Sequence, residues 1–500
     1  MRQTFFTRAA ALTALMALAA CSNDALGPTA DPGSPALARS SSPVPVVINV
    51  GLTGPMDAEI EARLAEYGTV AHQIPQLDVV FVLGEESAIS RIARLPFVAF
   101  AERDDEVSTG PLDTELAPDF VDGLGTWNLD AINVTQPGFG TRTVSETGAG
   151  VYVGVLDSGL LHTWRLYFPE ERIASEHALA VSGGWHPNAE NPETPNVWEN
   201  AVSAHGTHVT STIIGYSFDG TPVAGVAPQA TIIPVKVLGQ RGTGWTSMVV
   251  EGLVYVADLK AGALSDHPVV VNMSLGGGPS ELKDRAVDYA IARGVIVVAA
   301  AGNSGEDGMA YPGAYEPVIS VASAGWGDCD LTTPAPTLAD CFGQWKTGDW
   351  WWAGDVEEGG ADQYYISDFS SREHEGQDLD VVAPGHWVVG PFQLDRRASA
   401  SYFFVSGTSM ATPHVAGIVA LMAERNPGLT PAEAETSLEA AAIPMAPDTH
   451  HPLGPGPACC FELTWGEDAT GHGFITADAA LAAMSGGTDG PGAKEKGRRR

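Results

Sequence analysis

At 500 residues the chain exceeds one ordinary hydrophobic core and implies two or more modules. Apolar residues at 44% and charged residues at 17% give a globular balance, while Gly 57 and Pro 35 favour tight turns over long helices. A formal charge of −35 excludes the basic surface that a nucleic-acid partner needs; it suits an exported protein, and such acidity serves either calcium binding or simply a well-hydrated surface.

Arg2 and Arg8 flank a short apolar stretch, Ala9 to Ala20, shaped like a signal peptide and too short to span a bilayer. It ends Leu18-Ala19-Ala20-Cys21, which resembles a bacterial lipoprotein cleavage box with Cys21 as the lipidated residue; an ordinary signal with a chance cysteine is the alternative. Residues 1–21 are therefore read as a signal, and 22–45, rich in Pro, Ser, Gly and Ala, as a linker. Cys329, Cys341, Cys459 and Cys460 are left for disulfides under oxidising conditions, Cys329 with Cys341 being the pair nearest in sequence and cross-pairing staying open.

From Val46 the pattern tightens. Val46–Val50, Leu77–Val82 and Val98–Glu102 read as strands, and Asp57–Tyr67 and Glu86–Leu95 as helices. Residues 46–107 thus form a small α+β module of the β-α-β-β-α-β type. An acidic, Pro-containing stretch without periodicity follows, from Asp104 to about Gly123, and residues 108–126 are expected to hold a processing cut.

The large region, 127–486, alternates strands with helices. Strands are expected at Val151–Leu156, Thr231–Val237, Val269–Met273, Val295–Ala300, Val318–Ala322 and Leu379–Ala383. Helices are expected at His205–Ile214, Thr246–Ala261, Ser280–Arg293 and Thr408–Ala423. The apolar runs are continuous, hence buried on both faces, which predicts a parallel α/β sheet with ligands beyond its strands' C-terminal ends. Residues 487–500 end in a basic tail read as solvated.

Three segments fall where such a sheet places a site. Asp157 ends a strand before a Gly turn, His205 opens a helix in His205-Gly206-Thr207-His208, and Ser409 stands at the entrance of Gly407-Thr408-Ser409-Met410-Ala411-Thr412-Pro413-His414. Each alone is weak: a strand-end Asp caps turns, and a Ser at a helix start is usually an N-cap. Pro413 is expected to be tolerated because amides of the first turn lack intrahelical partners. Together, a hydroxyl, an imidazole and a carboxylate are what a serine nucleophile needs. Asn303, after the strand Val295–Ala300 and a Gly turn, would supply an oxyanion donor beside the Ser409 amide; losing one such donor costs roughly 2.7–4 kcal/mol. No HExxH or CxxC pattern supports zinc.

In the order Asp, His, Asn, Ser, the chain resembles the subtilisin-like serine proteases (subtilases), an order that general sequence rules also attach to subtilisin. Further matching stretches are Gly225-Val226-Ala227-Pro228, Val235-Lys236-Val237-Leu238, Asn272-Met273-Ser274-Leu275-Gly276, Val382-Ala383-Pro384-Gly385 and Gly471–Leu481. The resemblance implies a three-layer parallel-sheet peptidase domain, an acyl-enzyme on Ser409, and no cofactor for catalysis. It implies that Gly242, Thr243 and Gly244 pair with a substrate strand opposite Ser274, Leu275 and Gly276, and that Ala300, Ala301 and Gly302 wall the pocket for the residue before the cut. Module 46–107 is similar to the family's inhibitory propeptide; a permanent N-terminal domain is the alternative. Asp219 stands where the family offers a structural calcium ligand, though a surface turn residue explains it as well, and the sequence around Leu166 departs from the pattern. The partners implied are protein substrates and the propeptide, on a secreted monomer; an anchored precursor would follow only from the Cys21 lipobox. Two insertions depart from the family: 165–200 near the site, and 325–366 with Cys329, Cys341 and Trp350-Trp351-Trp352. A catalytically silent binding protein and a lipid-anchored adhesin using the Trp-rich insertion are the rival readings.

Overall fold

Continuous apolar runs need cover on both faces, and the chain provides it in two places. The structure, a computed structural model, describes residues 45–116, 126–136, 141–181, 185–187, 198–326, 364–394, 400–450 and 463–485. The signal with Cys21, the four remaining cysteines, the Trp350–Trp352 cluster and the basic tail lie outside them.

The N-terminal module runs β1 (Val46–Leu52), α1 (Ala58–Leu64), β2 (Gly68–Ile74), β3 (Val79–Gly84), α2 (Ile89–Ile92) and β4 (Val98–Arg103). Its antiparallel sheet has the order β2-β3-β1-β4. The Asp57 carboxylate caps α1 by accepting from the Glu59 and Ile60 amides. One face of the sheet packs on the module's own helices through Ile48, Val50, Val80 and Val82. The other carries Val47, Val79 and Phe81 into a core shared with the main domain.

The acidic stretch after Asp104, which shows no periodicity in sequence, is described through Leu116. It forms β5 (Glu106–Ser108) and β6 (Asp113–Leu116), each ordered by partners remote in sequence.

The main sheet joins β7 (Tyr152–Asp157), β8 (Leu179–Ala180), β11 (Thr231–Lys236), β13 (Val269–Met273), β14 (Val295–Ala300), β15 (Ile319–Trp326), β16 (Tyr364–Ile366) and β17 (Val381–Pro384). Its path is β16-β15-β14-β13-β7-β11-β8, with β17 on β15. Every pair is parallel except β15 with β16. A short helix α3 (Trp127–Ala131) precedes β7, and between β8 and β11 lie α4 (His205–Ile214) and a hairpin of β9 (Tyr216–Phe218) and β10 (Thr221–Val223). After β11 come β12 (Thr243–Trp245) and α5 (Thr246–Ala261); α6 (Glu281–Ile291) joins β13 to β14. Beyond β17, β18 (Val388–Pro391) pairs with β19 (Tyr402–Ser406), followed by α7 (Thr408–Arg425) and α8 (Pro431–Ala441).

Helix α7 is buried from Thr408 through Ala423, so its small residues let it run against β13, β14, β15 and α4. Pro413 is the sixth residue of α7, beyond the first turn where it was expected to be harmless. A proline there leaves the carbonyl four residues back, that of Ser409, without its amide. The Ser274 hydroxyl fills the gap, donating to Ser409 O at 2.8 Å. Among the described residues no helix is long and apolar enough to cross a membrane.

Candidate active site

Parallel strands β7, β13 and β14 all end on one side of the sheet, and helices α4 and α7 begin there. That convergence brings the four motifs together.

Asp157 is the last residue of β7 and fully buried. Its Oδ1 accepts from the Ser158 amide at 2.6 Å, and its carboxylate faces His205 Nδ1 at 2.8 and 2.9 Å. The turn behind it is fixed by Lys236, whose buried Nζ donates to Ser158 O and Leu238 O, both at 2.7 Å. His205 is the first residue of α4 and buried. Gly206 lets the helix approach this closely: a Cβ there would lie 2.5 Å from Gly159 O and 3.0 Å from Asp157 Oδ1.

With Nδ1–H donating to a carboxylate, His205 Nε2 is the ring's acceptor. It is buried and has no hydrogen-bond partner among the described residues. Ser409, the second residue of α7, is also buried, but its hydroxyl donates to Ser274 O at 3.2 Å rather than to His205. The Asp–His half of the arrangement is therefore formed here, and the Ser hydroxyl is turned to a carbonyl beside it. Two other histidines nearby are ordinary core residues: His208 Nε2 donates to Val388 O at 3.1 Å, and burial pushes its pKa down to about 3; burial takes His414 down to about 4.

Asn303 follows β14. Its Oδ1 accepts from both the amide and the hydroxyl of Thr408, at 2.9 and 2.8 Å, which turns Nδ2 into the cleft. Nδ2 donates to Thr109 O at 3.4 Å. In the sequence Thr408 reads only as part of the Ser409 motif, and its hold on Asn303 exists only through the fold. The Ser409 amide lies in the first turn of α7 and so lacks an intrahelical acceptor.

The cleft is filled by the chain itself. Strand β5 pairs antiparallel with β12, with Ser108 opposite Thr243, Val107 opposite Gly244 and Glu106 opposite Trp245. On its other side Ser108 N donates to Gly276 O and Ser108 O accepts from Gly276 N, both at 3.0 Å, and Thr109 N donates to Gly242 O at 3.2 Å. A cavity of about 310 Å³ beside this strand is lined by Leu275, Gly276, Ala300, Gly302, Asn303 and Met309 among others. Ala301 is outside that lining: it is buried, with its amide on Val321 O and its carbonyl accepting from Ala310 N.

Module carboxylates cap the helices flanking the cleft. Glu102 accepts from Ser280 Oγ and the Glu281 amide at the start of α6, and Asp104 from the Ser247 amide and hydroxyl at the start of α5. Both placements satisfy amides that a helix leaves unpaired.

For a cation, Asp219 sits at the tip of the β9–β10 hairpin with φ 46° and its amide on the Tyr402 hydroxyl, a turn position that belongs to no group of three ligand residues among the described residues. Among the described residues the acidic group is elsewhere: ligand atoms of Asp378, Asp380 and Glu435 lie within 4.8 Å of one another. Oxygen donors of this kind suit a hard cation. Burial raises Asp380 well above the usual carboxylate range against the bonds it accepts from Ser320, and burial with Glu439, Asp378 and Glu316 nearby pushes Glu435 up to about 7.

Comparison with known proteins agrees with this geometry. The sequence model of the subtilase family matches residues 148–484. An extracellular serine proteinase of Thermus sp. is 32% identical over 354 residues, covering 71% of this chain and 68% of that protein. Subtilisin E of Bacillus subtilis is 30% identical over 386 residues, covering 75% and 78%. The crystal structure of fervidolysin from Fervidobacterium pennivorans shares the fold, with TM-score 0.59 at 22% identity over 89% of this chain and 62% of that one. The chain belongs to the subtilase family and is a serine-type endopeptidase.

Proposed function

We propose that the chain is an exported, self-processing endopeptidase in which Ser409 is the nucleophile, His205 the base and Asp157 the carboxylate that fixes the imidazole. The observation carrying this is the strand Glu106–Thr109 lying in the cleft as a substrate would, with the Thr109 carbonyl on Asn303 Nδ2. In the reaction Ser409 Oγ leaves Ser274 O, passes its proton to His205 Nε2 and bonds to the substrate carbonyl carbon. The developing oxyanion accepts from Asn303 Nδ2 and the Ser409 amide. His205 then returns the proton to the departing amine as the C–N bond breaks, and water releases the acyl group by the same route. No step calls on a cofactor.

Peptide substrates add as a strand between Gly242-Thr243-Gly244 and Ser274-Leu275-Gly276, with the residue before the cut facing Ala300 and Gly302. Module 46–107 acts as an inhibitory propeptide, and the bond cut in maturation is Thr109–Gly110. The next bond, Gly110–Pro111, would make a proline ring nitrogen the leaving group. The protein partners are this module and protein substrates, on a monomer. Export follows from the signal, with Cys21 as a temporary lipid anchor that stays with the propeptide. A structural calcium, where bound, has its best donor set at Asp378, Asp380 and Glu435 rather than at Asp219.

A fluorophosphonate probe tests the assignment. It should label the mature enzyme at Ser409, and Ser409→Ala should abolish both labelling and processing; labelling that survives the substitution overturns it. N-terminal sequencing of the mature form should begin at Gly110, and a start elsewhere refutes the proposed cut.

A further inference from the structure

Cutting a chain that fills its own cleft removes a covalent tether but none of the contacts that hold the upstream piece. What those contacts are decides whether the cut frees the enzyme. Most belong to elements of the main sheet's flank: the module's sheet face on α5 and α6, and the carboxylate caps Glu102 and Asp104. One set comes from elsewhere, the segment Trp185-His186-Pro187 within the 165–200 insertion.

Trp185 stacks on two module rings, Phe81 at 4.7 Å between centroids and 27° and His72 at 5.1 Å and 14°. These two residues are opposite one another on β3 and the module's edge strand β2, so one indole spans two strands. The neighbouring His186, 3% exposed, lies edge-on to Trp185 and flat on Trp245 of the cleft strand β12, 4.4 Å away. Its Nε2 is 3.5 Å from Asp104 Oδ2, the module carboxylate that caps α5. Two adjacent side chains therefore grip the module at two separate points and brace against the cleft at a third.

We propose that Trp185 and His186, carried on the 165–200 insertion, form a clasp that lengthens the stay of the N-terminal module after the chain is cut. This rests on the reading of the module as an inhibitor. The clasp is a docking surface for a β-sheet edge bearing paired aromatic rings and a following acidic residue, and its occupant is the chain's own module. Aromatic pairs of this geometry contribute beyond the area they bury, and a retained product dissociates at a rate set by such contacts.

The test uses the full-length chain, followed in time by gel for the cut and by an internally quenched peptide for activity. In the wild type, activity should lag the cut. Trp185→Ala should shorten that lag about tenfold, as expected when two ring pairs are lost, without altering the rate of the cut or the final rate per probe-labelled Ser409. Trp185→Phe should keep most of the lag, and His72→Ala combined with Trp185→Ala should shorten it less than the two singles predict. An unchanged lag in Trp185→Ala, with the cut proceeding, overturns the clasp and leaves the inhibitor reading intact. A changed final rate overturns it too, since it marks a role inside the catalytic unit. A wild-type chain that is never cut overturns the inhibitor reading and the clasp with it.

Discussion

Two groups of carboxylates lie beyond the ends or at the starts of strands in the same sheet, and they are opposites. Asp157 ends β7 with its charge answered by the Ser158 amide and the His205 ring. Asp380 precedes β17 with Ser320 on one oxygen, no partner among the described residues on the other, and Asp378 and Glu435 close by. The same residue type in comparable burial becomes an orienting anion in one place and a crowded, proton-retaining group in the other. Burial alone does not determine what a carboxylate does; what faces its oxygens does, an imidazole for Asp157 and two further carboxyl groups for Asp380.

That contrast predicts losses in different currencies. Asp157→Asn should lower kcat by about 10⁴-fold by presenting the wrong donor to His205; a loss under tenfold would break the comparison at its catalytic end. Asn303→Ala should cost about 10²–10³-fold in kcat with KM little changed, a scale taken from subtilisin itself. Thr408→Val keeps Asn303 but removes one of the two bonds that aim it, and should cost about tenfold in kcat. An effect on KM alone would mean the amide is held by something other than Thr408.

At the other carboxylate group the effect is on stability. The Glu435 pKa of about 7 lies above its ordinary 4.5, so the folded state favours the protonated form. Its share of stability is whole below pH 4.5, falls away as pH rises to 7, and is fully lost above that. Glu435→Gln should therefore stabilise the protein at pH 8 by about 1 kcal/mol after discounting for partial exposure and do nothing at pH 4.5, with peptidase activity unchanged. Thermal unfolding at the two pH values checks it. Added calcium should reproduce the gain in the wild type and fail to do so in the variant.

Much of this was readable before any coordinates. Strands Val269–Met273 and Val295–Ala300 and helices His205–Ile214 and Thr246–Ala261 match expectation to the residue, because long apolar runs and small-residue helices have few alternatives. The motif residues around Asp157, His205, Asn303 and Ser409 converge as a parallel sheet requires. What the sequence hid is order imposed from a distance. Gly68–Ile74 is half polar and becomes a strand through β3. Glu106–Ser108 has no apolar alternation and is straightened by Gly244 and Gly276. Ser274 serving Pro413's orphaned carbonyl, Thr408 aiming Asn303, and Glu435 arriving beside Asp380 from α8 all depend on side chains brought together by the fold.

Strand β6 runs along β19, the strand that leads straight into the helix bearing Ser409. On the proposed cut, the freshly made amino end would stay moored three residues from that pairing, within reach of the acyl group it had just left. Resealing would then compete with water at a high local concentration, and maturation would become irreversible only when this ribbon peels away.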